Sequence, residues 1–355
     1  MPLDTTTTFP SRRLGRSGVE VTALGLGTAA LGNLYSPIDD ATALAAVNAA
    51  WDEGIRYFDT APHYGLGLSE RRLGTALRHR PRTQYVLSTK VGRILEPSAG
   101  GQPAGDDLAD GFAVPATHRR RWDFSADGVT RSIADSLERL GLDRIDVAYL
   151  HDPDDHVEQA LDEAYPALER LRAQGVIGAV GVGMNQAELL TRFVRETDVD
   201  VVLLAGRYTL LDQRGLDELL PEAERRGTSV VVGGVFNSGL LANPRSDSTY
   251  DYAAVPREIL TRALRMQVVC QKWDVPLRAA ALQFPFGHPA VASVLVGPRT
   301  AAELRDAVRM ASVPIPIGLW TELRGVGLLP DRVPVPSSAN VIVVDDTLPT
   351  IGEPS

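Results

Sequence analysis

Residues 145–182, IDVAYLHDPDDHVEQALDEAYPALERLRAQGVIGAVGV, contain the pattern that decides the fold. An apolar, β-branched run at Ile145–His151 is followed by a turn, by a helical segment that stops at Gly175, and by a second apolar run at Ile177–Val182. Short apolar runs that alternate with helical segments indicate parallel strands joined by crossover helices. This stretch therefore predicts one βαβ unit.

The same alternation recurs along the whole chain. The predicted strands are Val21–Gly27, Ile55–Asp59, Gln84–Lys90, Ile145–His151, Ile177–Val182, Val199–Leu204, Ser229–Gly233 and Ala292–Gly297. Eight strands with helices between them predict a closed (β/α)8 TIM barrel of the α/β class. We expect residues 1–355 to form a single domain, with an N-terminal β-hairpin in residues 1–20 and a C-terminal tail in residues 330–355.

An open, doubly wound sheet is the alternative fold for such alternation. A dinucleotide-binding sheet of that type carries a Gly-x-Gly-x-x-Gly turn after its first strand. Gly25-Leu26-Gly27 is not followed by the third glycine at that spacing. The closed barrel is therefore favoured.

Helix start and stop signals support this order of elements. The predicted helices, with their start signals, are Thr42–Trp51 after Asp39, Arg71–Arg80 after Ser69-Glu70, and Asp127–Leu140 after Ser125. Glycines that favour a left-handed backbone stand where helices stop before the next strand. They are Gly54, Gly141, Gly175 and Gly227.

Charge and composition exclude several classes of partner. The chain has 355 residues and a net charge of −9, and its Lys and Arg residues are scattered among the acids. Proteins that bind nucleic acid or anionic membranes concentrate basic residues on one face, so neither partner is expected. There is no signal-peptide pattern and no 18-residue apolar run. We expect a soluble cytoplasmic protein, and the pattern leaves its oligomeric state open.

Two features suggest other chemistry. Cys270 is the only cysteine, and its helical context favours a packed thiol over a catalytic one. Residues 151–156, HDPDDH, contain possible metal ligands, but Pro153 stiffens the turn, so a polar loop beside a pocket is favoured. We therefore predict no metal site.

Two long segments interrupt the alternation. Ile94–Arg121 follows the third predicted strand, and Asn243–Val255 follows the seventh. Loops of this length in a compact domain are functional lids or disordered segments. Both leave the C-terminal ends of their strands, where barrel enzymes build their active sites. We expect them to border the site.

Three predicted strands end in residues of complementary chemistry. Asp59, Lys90 and His151 end the second, third and fourth strands, and Tyr64 follows in the loop after the second. Barrel geometry directs these four side chains into one cavity. The sequence therefore predicts an active site at this end of the barrel.

These residue types suit proton transfer by a phenol. An unperturbed tyrosine has a pKa of about 10, and a lysine ammonium within about 4–6 Å lowers that value. Asp59 would hold Lys90, and His151 would bind the substrate oxygen and set its angle. We predict that Tyr64 donates or accepts the proton.

Longer motifs around these residues resemble the aldo-keto reductase family. They are Tyr57-Phe58-Asp59-Thr60-Ala61 with Tyr64-Gly65 and Ser69-Glu70, Gly181-Val182-Gly183-Met184-Asn185, and the segment Val294–Asp306. The resemblance covers most of the chain. It implies a nicotinamide-dependent oxidoreductase whose catalytic tetrad falls on Asp59, Tyr64, Lys90 and His151.

The resemblance also implies contacts to the nicotinamide. The family uses a Ser-Asn pair and a glutamine for the amide group; here Asn185 is kept, and Met184 and Ala205 replace the other two. In many members an aromatic residue after strand seven stacks on the ring. Gly233 aligns with that residue, so Tyr208 is the candidate substitute.

Further cofactor contacts are expected at three strand ends. The candidates are Gly27 and Thr28 after the first strand, the pyrophosphate loop Gly234, Val235, Phe236, Asn237, Ser238 and Gly239, and Gly297, Arg299, Thr300, Glu303 and Asp306 after the last strand. Members that select a 2′-phosphate carry an arginine at the position of Glu303. A carboxylate there repels a phosphate and favours NAD. Arg299 keeps NADP as an alternative.

The combination of motifs looks most like a bacterial branch that contains L-fucose (D-threo-aldose) 1-dehydrogenases and pyridoxal 4-dehydrogenases. It implies oxidation of an aldose at C1 to the lactone, with Trp122 and Asp152, and with His118 and Arg119, as candidate rim contacts to the sugar. The alternatives are pyridoxal oxidation and NADPH-dependent reduction of aldehydes or ketones. A third alternative, from another functional class, is a regulatory barrel that binds cofactor without turnover.

Overall fold

The computed structural model describes residues 9–98, 103, 105–251 and 253–337. The strands are β1 (Ser11–Arg13), β2 (Glu20–Thr22), β3 (Leu24–Gly27), β4 (Tyr57–Asp59), β5 (Val86–Val91), β6 (Arg93–Pro97), β7 (Asp106–Asp107), β8 (Phe112–Pro115), β9 (His118–Trp122), β10 (Val147–His151), β11 (Ala179–Met184), β12 (Val201–Ala205), β13 (Ser229–Gly233), β14 (Thr249–Tyr250), β15 (Ala253–Ala254) and β16 (Val291–Val296).

The α-helices are α1 (Asp40–Asp52), α2 (Leu68–Leu77), α3 (Ala126–Leu140), α4 (Val157–Gln159), α5 (Tyr165–Ala173), α6 (Ala187–Glu196), α7 (Leu219–Arg226), α8 (Arg257–Lys272), α9 (Leu277–Gln283), α10 (Ala301–Ala311) and α11 (Ile317–Gly325). A π-helical turn, Ala160–Ala164, lies between α4 and α5. None of the helices in the described ranges combines the length and the apolar character needed to span a bilayer.

Eight parallel strands close into a barrel, as the alternation predicts. Around the barrel their order is β3, β4, β5, β10, β11, β12, β13 and β16, and β16 pairs with β3 to close the ring. Each predicted strand lies within a few residues of an observed one, and Ser229–Gly233 agrees at both ends. The prediction of a single domain over residues 1–355 stays a prediction, because residues 1–8 and 338–355 lie outside the described ranges.

Alternation along the strands sorts side chains into an outer and an inner layer. Outward residues such as Ala148 and Leu150 pack under the helices in the main core, whereas Tyr57, Val147 and Tyr149 fill the barrel interior. The N-terminal hairpin, β1 paired with β2, adds the fully buried Leu14 to this inner cluster. By the same alternation, the inward-facing residue that follows in each strand lies above this inner apolar cluster.

Most helix and strand boundaries follow the predicted signals. Asp39 caps α1 and Ser125 caps α3 through their side chains, and Gly141 and Gly227 adopt left-handed backbones. The predicted helix Arg71–Arg80 is wrong at its start, because α2 begins at Leu68 after a left-handed Gly67.

The first predicted strand is also divided differently. Val21–Gly27 splits into the end of β2 and the barrel strand β3, because Thr22 Oγ1 donates a hydrogen bond to the Leu24 carbonyl at the bend. Only the second half therefore belongs to the barrel.

Both long segments carry secondary structure of their own. Within Ile94–Arg121, β6 pairs with β9 and β7 pairs with β8, and the segment lies over the C-terminal end of the barrel. Within Asn243–Val255, β14 pairs with β15. We call the segment of residues 105–115 the lid, because Leu108–Phe112 form one wall of the cavity at the barrel mouth.

Replacing Gly74 with alanine is expected to lower the free energy of unfolding by about 1 to 3 kcal/mol, the usual cost of overpacking. A Cβ at Gly74 of α2 would stand 1.8 Å from the Leu140 carbonyl oxygen of α3, so the two helices would have to separate. Gly325→Ala is the control, because nothing lies within 4 Å of a Cβ there and alanine favours the helix. Urea denaturation of both variants tests this, and equal losses would contradict it.

Candidate active site

The four predicted catalytic residues meet at the C-terminal end of the barrel. Asp59 and His151 are the last residues of β4 and β10, Lys90 lies in β5 between them, and Tyr64 follows β4 in a turn. In the strand register Asp59 pairs with Ser88, so Asp59 and Lys90 project inward one step apart. Tyr64, Lys90 and His151 line a cavity of about 580 Å³.

Asp59 and Lys90 form an ion pair that is closed to water. Lys90 Nζ donates to Asp59 Oδ2 at 2.7 Å and to the Thr60 carbonyl at 3.0 Å, and each of the two charged residues is 2% exposed. Burial alone would lower the pKa of Lys90, but the Asp59 carboxylate raises it above its ordinary value. The ammonium charge is therefore fixed beneath the cavity.

Tyr64 stands directly above this charge. Lys90 Nζ lies 4.9 Å from the centroid of the Tyr64 ring. Burial raises the pKa of the Tyr64 hydroxyl, and the charge of Lys90 acts in the opposite direction without reversing the shift. The expectation of a lowered pKa is therefore wrong in its net sign, although the predicted effect of Lys90 is present.

His151 is a neutral imidazole on the opposite wall. Burial lowers its pKa well below the ordinary value, and the positive charges of Arg93 and Lys90 lower it further. Its ring lies 6.0 Å from the Tyr64 ring, edge to face. Within the described chain, His151 Nδ1 has no hydrogen-bond partner. A neutral imidazole can both donate and accept hydrogen bonds, which suits binding of a substrate oxygen.

His63 is a second neutral imidazole, which the sequence analysis missed. Its Nδ1 accepts a hydrogen bond from Arg120 Nε, so the ring proton resides on Nε2. Burial, together with the charges of Arg93 and Arg120, lowers the pKa of His63 to about 2. His63 directly precedes Tyr64 in the sequence. This position, in the turn that carries Tyr64, was the sequence signal that could have identified His63.

Arg120 connects the lid to the loop that carries Tyr64. Its guanidinium donates to both carboxylate oxygens of Asp107 and to Asp110 on the lid, and to the side chain and carbonyl of His63. The side chain is only 10% exposed. Sequence analysis singled out the adjacent Arg119, but Arg119 is exposed and pairs with Glu96 on the outer face.

A chain of buried hydroxyls lies below the ion pair. Ser88 Oγ donates to Asp59 Oδ1 at 2.7 Å, and Tyr57 and Tyr149 join their hydroxyls at 3.0 Å within reach of Ser88. Both carboxylate oxygens of Asp59 are thus satisfied, which fixes the direction of its bond to Lys90.

The predicted pyrophosphate loop turns sharply after β13. Gly234, Asn237, Ser238 and Gly239 all adopt positive φ angles, and the Asn237 N–H donates to the Gly234 carbonyl within the turn. Asn237 is 3% exposed, and its Oδ1 lacks a partner among the described residues. An unpartnered buried acceptor suits a donor group of a bound molecule, such as a hydroxyl, and not the oxygen of a phosphate. The Val235 side chain is buried in the core, so Val235 offers only its backbone, whereas the Phe236 side chain is half-buried.

The end of the last strand leads into the N-terminus of α10. Gly297 is exposed, and Thr300 caps the helix by accepting a bond from the Glu303 N–H. Arg299 is committed elsewhere, since its guanidinium donates to the carbonyls of Leu34, Ser36 and Pro37. Glu303 is exposed and accepts a bond from the Arg299 N–H. Free N–H groups at a helix N-terminus suit a phosphate.

Two predicted cofactor contacts, Asp306 and Thr28, are occupied by other interactions. Asp306 pairs with Arg278 of α9, so it serves helix packing instead of a cofactor. The Thr28 hydroxyl is fully buried and bonds to the Asp59 carbonyl and to Ser69, while Gly27 beside it stays partly accessible.

The prediction that Tyr208 stacks on a nicotinamide is wrong. Its ring is fully buried and packs against Phe284 and His288, away from the cavity. The cavity wall on that side is formed by Asn185, Met184 and Ala205, as the alignment of the amide-binding positions predicts.

The two candidate substrate residues differ. Asp152 lines the cavity and pairs with Arg93. Trp122 does not line the cavity. Its ring lies against the Arg93 guanidinium and stacks on the Phe124 ring, with the two ring centroids 6.0 Å apart. The prediction that Trp122 contacts substrate is therefore not supported. Among the described residues, no group of three His, Cys, Asp or Glu side chains is arranged to hold a metal ion. Cys270 is buried, and burial raises its pKa to about 12.

Comparison with known protein families matches residues 23–327 to the Aldo/keto reductase family. D-threo-aldose 1-dehydrogenase of a Pseudomonas species is 49% identical over 317 residues, which cover 88% of this chain and 96% of that protein. Pyridoxal 4-dehydrogenase of Microbacterium luteolum is 45% identical over 334 residues, which cover 90% of this chain and 97% of that protein.

Solved structures give the same picture of the fold. Aldo-keto reductase AKR11C1 from Bacillus halodurans, in its holo form, superposes with a TM-score of 0.72 at 27% sequence identity. The superposition covers 94% of this chain and 99% of that chain.

Proposed function

The chain belongs to the aldo/keto reductase family, and on that premise we propose that it is an NAD-dependent dehydrogenase that oxidises an aldose, such as L-fucose or another D-threo-aldose, at C1 to the lactone. It is an oxidoreductase that acts on a small-molecule substrate with a nicotinamide cofactor. The similarity to D-threo-aldose 1-dehydrogenase, at 49% identity, supports the aldose.

The observation that carries the proposal is the position of Tyr64 above the enclosed Lys90–Asp59 pair, in a cavity lined by polar groups. Tyr64, His63, His151, Arg93 and Asp152 all face the same space. Donors and acceptors on several sides of one cavity match a polyol better than an apolar aldehyde.

We assign the proton-transfer steps to this chain's own residues. The Tyr64 oxygen accepts the proton of the C1 hydroxyl, and the Lys90 ammonium stabilises the phenolate from below. Asp59 and Ser88 keep Lys90 in place, and His151 orients the hydroxyl oxygen. Asn185 and the loop of residues 234–239 would hold the cofactor, and NAD would supply the acceptor for the hydride of C1. Loss of this hydride together with the hydroxyl proton oxidises the carbon to the lactone.

The test is absorbance at 340 nm when the protein is mixed with NAD and L-fucose, D-arabinose or pyridoxal. NADH formation with an aldose is the expected result. Formation with pyridoxal alone would favour the second candidate, and turnover only with NADPH and aldehydes would make the protein a reductase. No turnover with any substrate, together with NAD binding, would indicate a regulatory barrel.

Pyridoxal oxidation is kept as the second candidate because the cavity also has an aromatic wall. The Phe112 ring on the lid lies 6.1 Å from the Tyr64 ring at an interplanar angle of 35°. Such a wall can pack against a pyridine ring. The similarity to pyridoxal 4-dehydrogenase, at 45% identity, supports the same alternative.

The preference for NAD over NADP is a separate prediction. Because Arg299 is bonded to three backbone carbonyls and Glu303 is a carboxylate, a 2′-phosphate would meet repulsion. We expect kcat/KM to be at least about tenfold higher with NAD, a ratio equivalent to about 1.4 kcal/mol. Glu303→Gln should reduce the ratio of kcat/KM with NAD to kcat/KM with NADP, whereas Asp306→Asn on the same helix should leave this ratio unchanged. Equal kcat/KM values for both cofactors would contradict the prediction.

The pH dependence follows from the raised pKa of Tyr64. Oxidation needs the deprotonated phenol, and that fraction grows with pH because the pKa lies above about 10. We expect kcat/KM for oxidation to rise about tenfold per pH unit between about pH 7 and 9, while carbonyl reduction, which needs the protonated phenol, stays flat. Initial rates in both directions measure this. A flat oxidation profile would contradict the assignment of the base.

A further inference from the structure

An ion pair of Arg93 and Asp152 forms part of the cavity wall, and no step of the proton transfer uses it. Arg93 opens β6, directly after the strand of Lys90, and Asp152 follows His151. Their side chains are 11% and 33% exposed, and both face the cavity that contains Tyr64. They also form the border with an adjoining cleft, which Trp122 lines as well.

Arg93 is held in place by an aromatic stack. Its guanidinium carbon lies 4.3 Å from the centroid of the Trp122 ring, which itself stacks on Phe124. A guanidinium on an aromatic face gains cation–π attraction and keeps its N–H groups free at its edge. Arg93 Nε is buried and has no hydrogen-bond partner in the described ranges. The guanidinium therefore retains donor capacity.

Asp152 is aimed at the cavity by its backbone. Its φ angle is +43°, in the left-handed region, and its N–H donates to the Gly183 carbonyl of β11. This conformation is rare for residues other than glycine, asparagine and aspartate. A strained conformation next to a catalytic residue suggests that the direction of the carboxylate matters.

A purely structural pair would be built differently. Glu70 and Arg139 form such a pair: Glu70 is fully buried, both of its carboxylate oxygens are bonded, and neither residue lines the cavity. Arg93 and Asp152 instead both line the cavity, where Arg93 Nε has no partner among the described residues and Asp152 Oδ2 also lies 3.5 Å from His151 Nε2. Desolvating a charged pair is costly, so such a pair contributes little stability by itself.

We propose that Arg93 and Asp152 together recognise two neighbouring hydroxyls of the sugar, with the Asp152 carboxylate accepting from one and the Arg93 guanidinium donating to the other. The inference rests on the proposed aldose oxidation and names the specificity-determining residues for it. Trp122 is a positioning residue that acts through Arg93. With a sugar that lacks one of these hydroxyls, the two charges still pair with each other, but one donor or acceptor of the pair is left unsatisfied in the cavity, which disfavours that sugar.

The test compares the best aldose substrate with its singly deoxygenated analogues. Asp152→Asn suits this test, because asparagine tolerates the left-handed backbone and has the same shape. We expect Asp152→Asn and Arg93→Gln each to raise KM for the aldose at least about tenfold with a smaller change in kcat. Each variant should lose the discrimination that the wild type shows against one deoxy analogue. Trp122→Leu should have an intermediate effect on KM.

Glu96→Gln is the matched control, since Glu96 pairs with Arg119 and Arg121 on the same hairpin without lining the cavity. Thermal melting shows whether each variant is folded. If the wild type oxidises aldoses but Asp152→Asn and Arg93→Gln keep its KM and its discrimination, the recognition proposal is overturned and the aldose function stands. If the wild type oxidises no aldose, the proposed function itself fails. If the pair acts as a unit, the variant that combines Asp152→Asn with Arg93→Gln should have a KM for the aldose similar to that of each single variant.

Discussion

Replacing Tyr64 with phenylalanine is expected to lower kcat for aldose oxidation by about 100- to 10,000-fold, the range that a positioned general acid or base contributes. The substitution removes only the oxygen that accepts the substrate proton. Phenylalanine keeps the ring next to His63, Phe112 and His151, so the shape of the cavity is preserved. Initial rates at saturating NAD and sugar measure the loss.

Cofactor binding separates this effect from a loss of folding. NAD affinity, measured by fluorescence titration, should stay within about twofold of wild type, because the hydroxyl of Tyr64 lies among the substrate-binding groups. Tyr165→Phe is the control, since the Tyr165 hydroxyl accepts a bond from the Asp198 N–H on the outer face of the barrel. Retention of most activity by Tyr64→Phe would remove Tyr64 from the mechanism.

Replacing Asp59 with alanine is expected to lower the free energy of unfolding by about 3 to 5 kcal/mol, because it leaves a buried charge unpaired. Lys90 would retain only neutral partners, the Thr60 carbonyl and the Tyr64 hydroxyl, at a site where it is 2% exposed. Ser88 would lose its carboxylate acceptor as well. Activity should fall together with stability, since Lys90 would no longer be held below Tyr64.

Asp198→Ala provides the comparison for that prediction. Asp198 pairs with Arg16, and both side chains are largely exposed, so its loss should cost less than about 1 kcal/mol. Urea denaturation curves for the two variants and the wild type give both values. If Asp59→Ala is no more destabilising than Asp198→Ala, the buried charge of Lys90 does not depend on Asp59, and the prediction is wrong.

The barrel could be predicted because its signals are local. A strand such as Ser229–Gly233 is a continuous apolar run bounded by glycines, and its limits coincide with the observed β13. That three of the four predicted catalytic residues meet followed from the same reasoning, because the carboxyl ends of parallel strands converge at one end of a barrel. The positions of Asp59, Lys90 and His151 could therefore be predicted without any knowledge of side-chain packing.

The errors and omissions at the site depend on contacts between distant segments, whereas those in the element boundaries are local, as at Thr22 and Gly67. Tyr208 lies in a plausible motif, but its ring is buried by Phe284, which is far away in sequence. Arg93 and Arg120 acquire their roles only when the hairpins of residues 93–122 fold over the barrel. The net sign of the Tyr64 pKa shift depends on how completely the ring is desolvated, which no sequence pattern reports.

The bonds of Arg120 make the lid and the turn that carries Tyr64 one connected unit. Because Arg120 joins Asp107 and Asp110 to the carbonyl of His63, next to Tyr64, we expect substitutions at these two acids to disturb the position of the predicted catalytic phenol as well. Leu108 and Ala109 line the cavity but take no part in these bonds. We therefore expect substitutions at these two residues to reshape the cavity wall while the bonds of Arg120 stay intact.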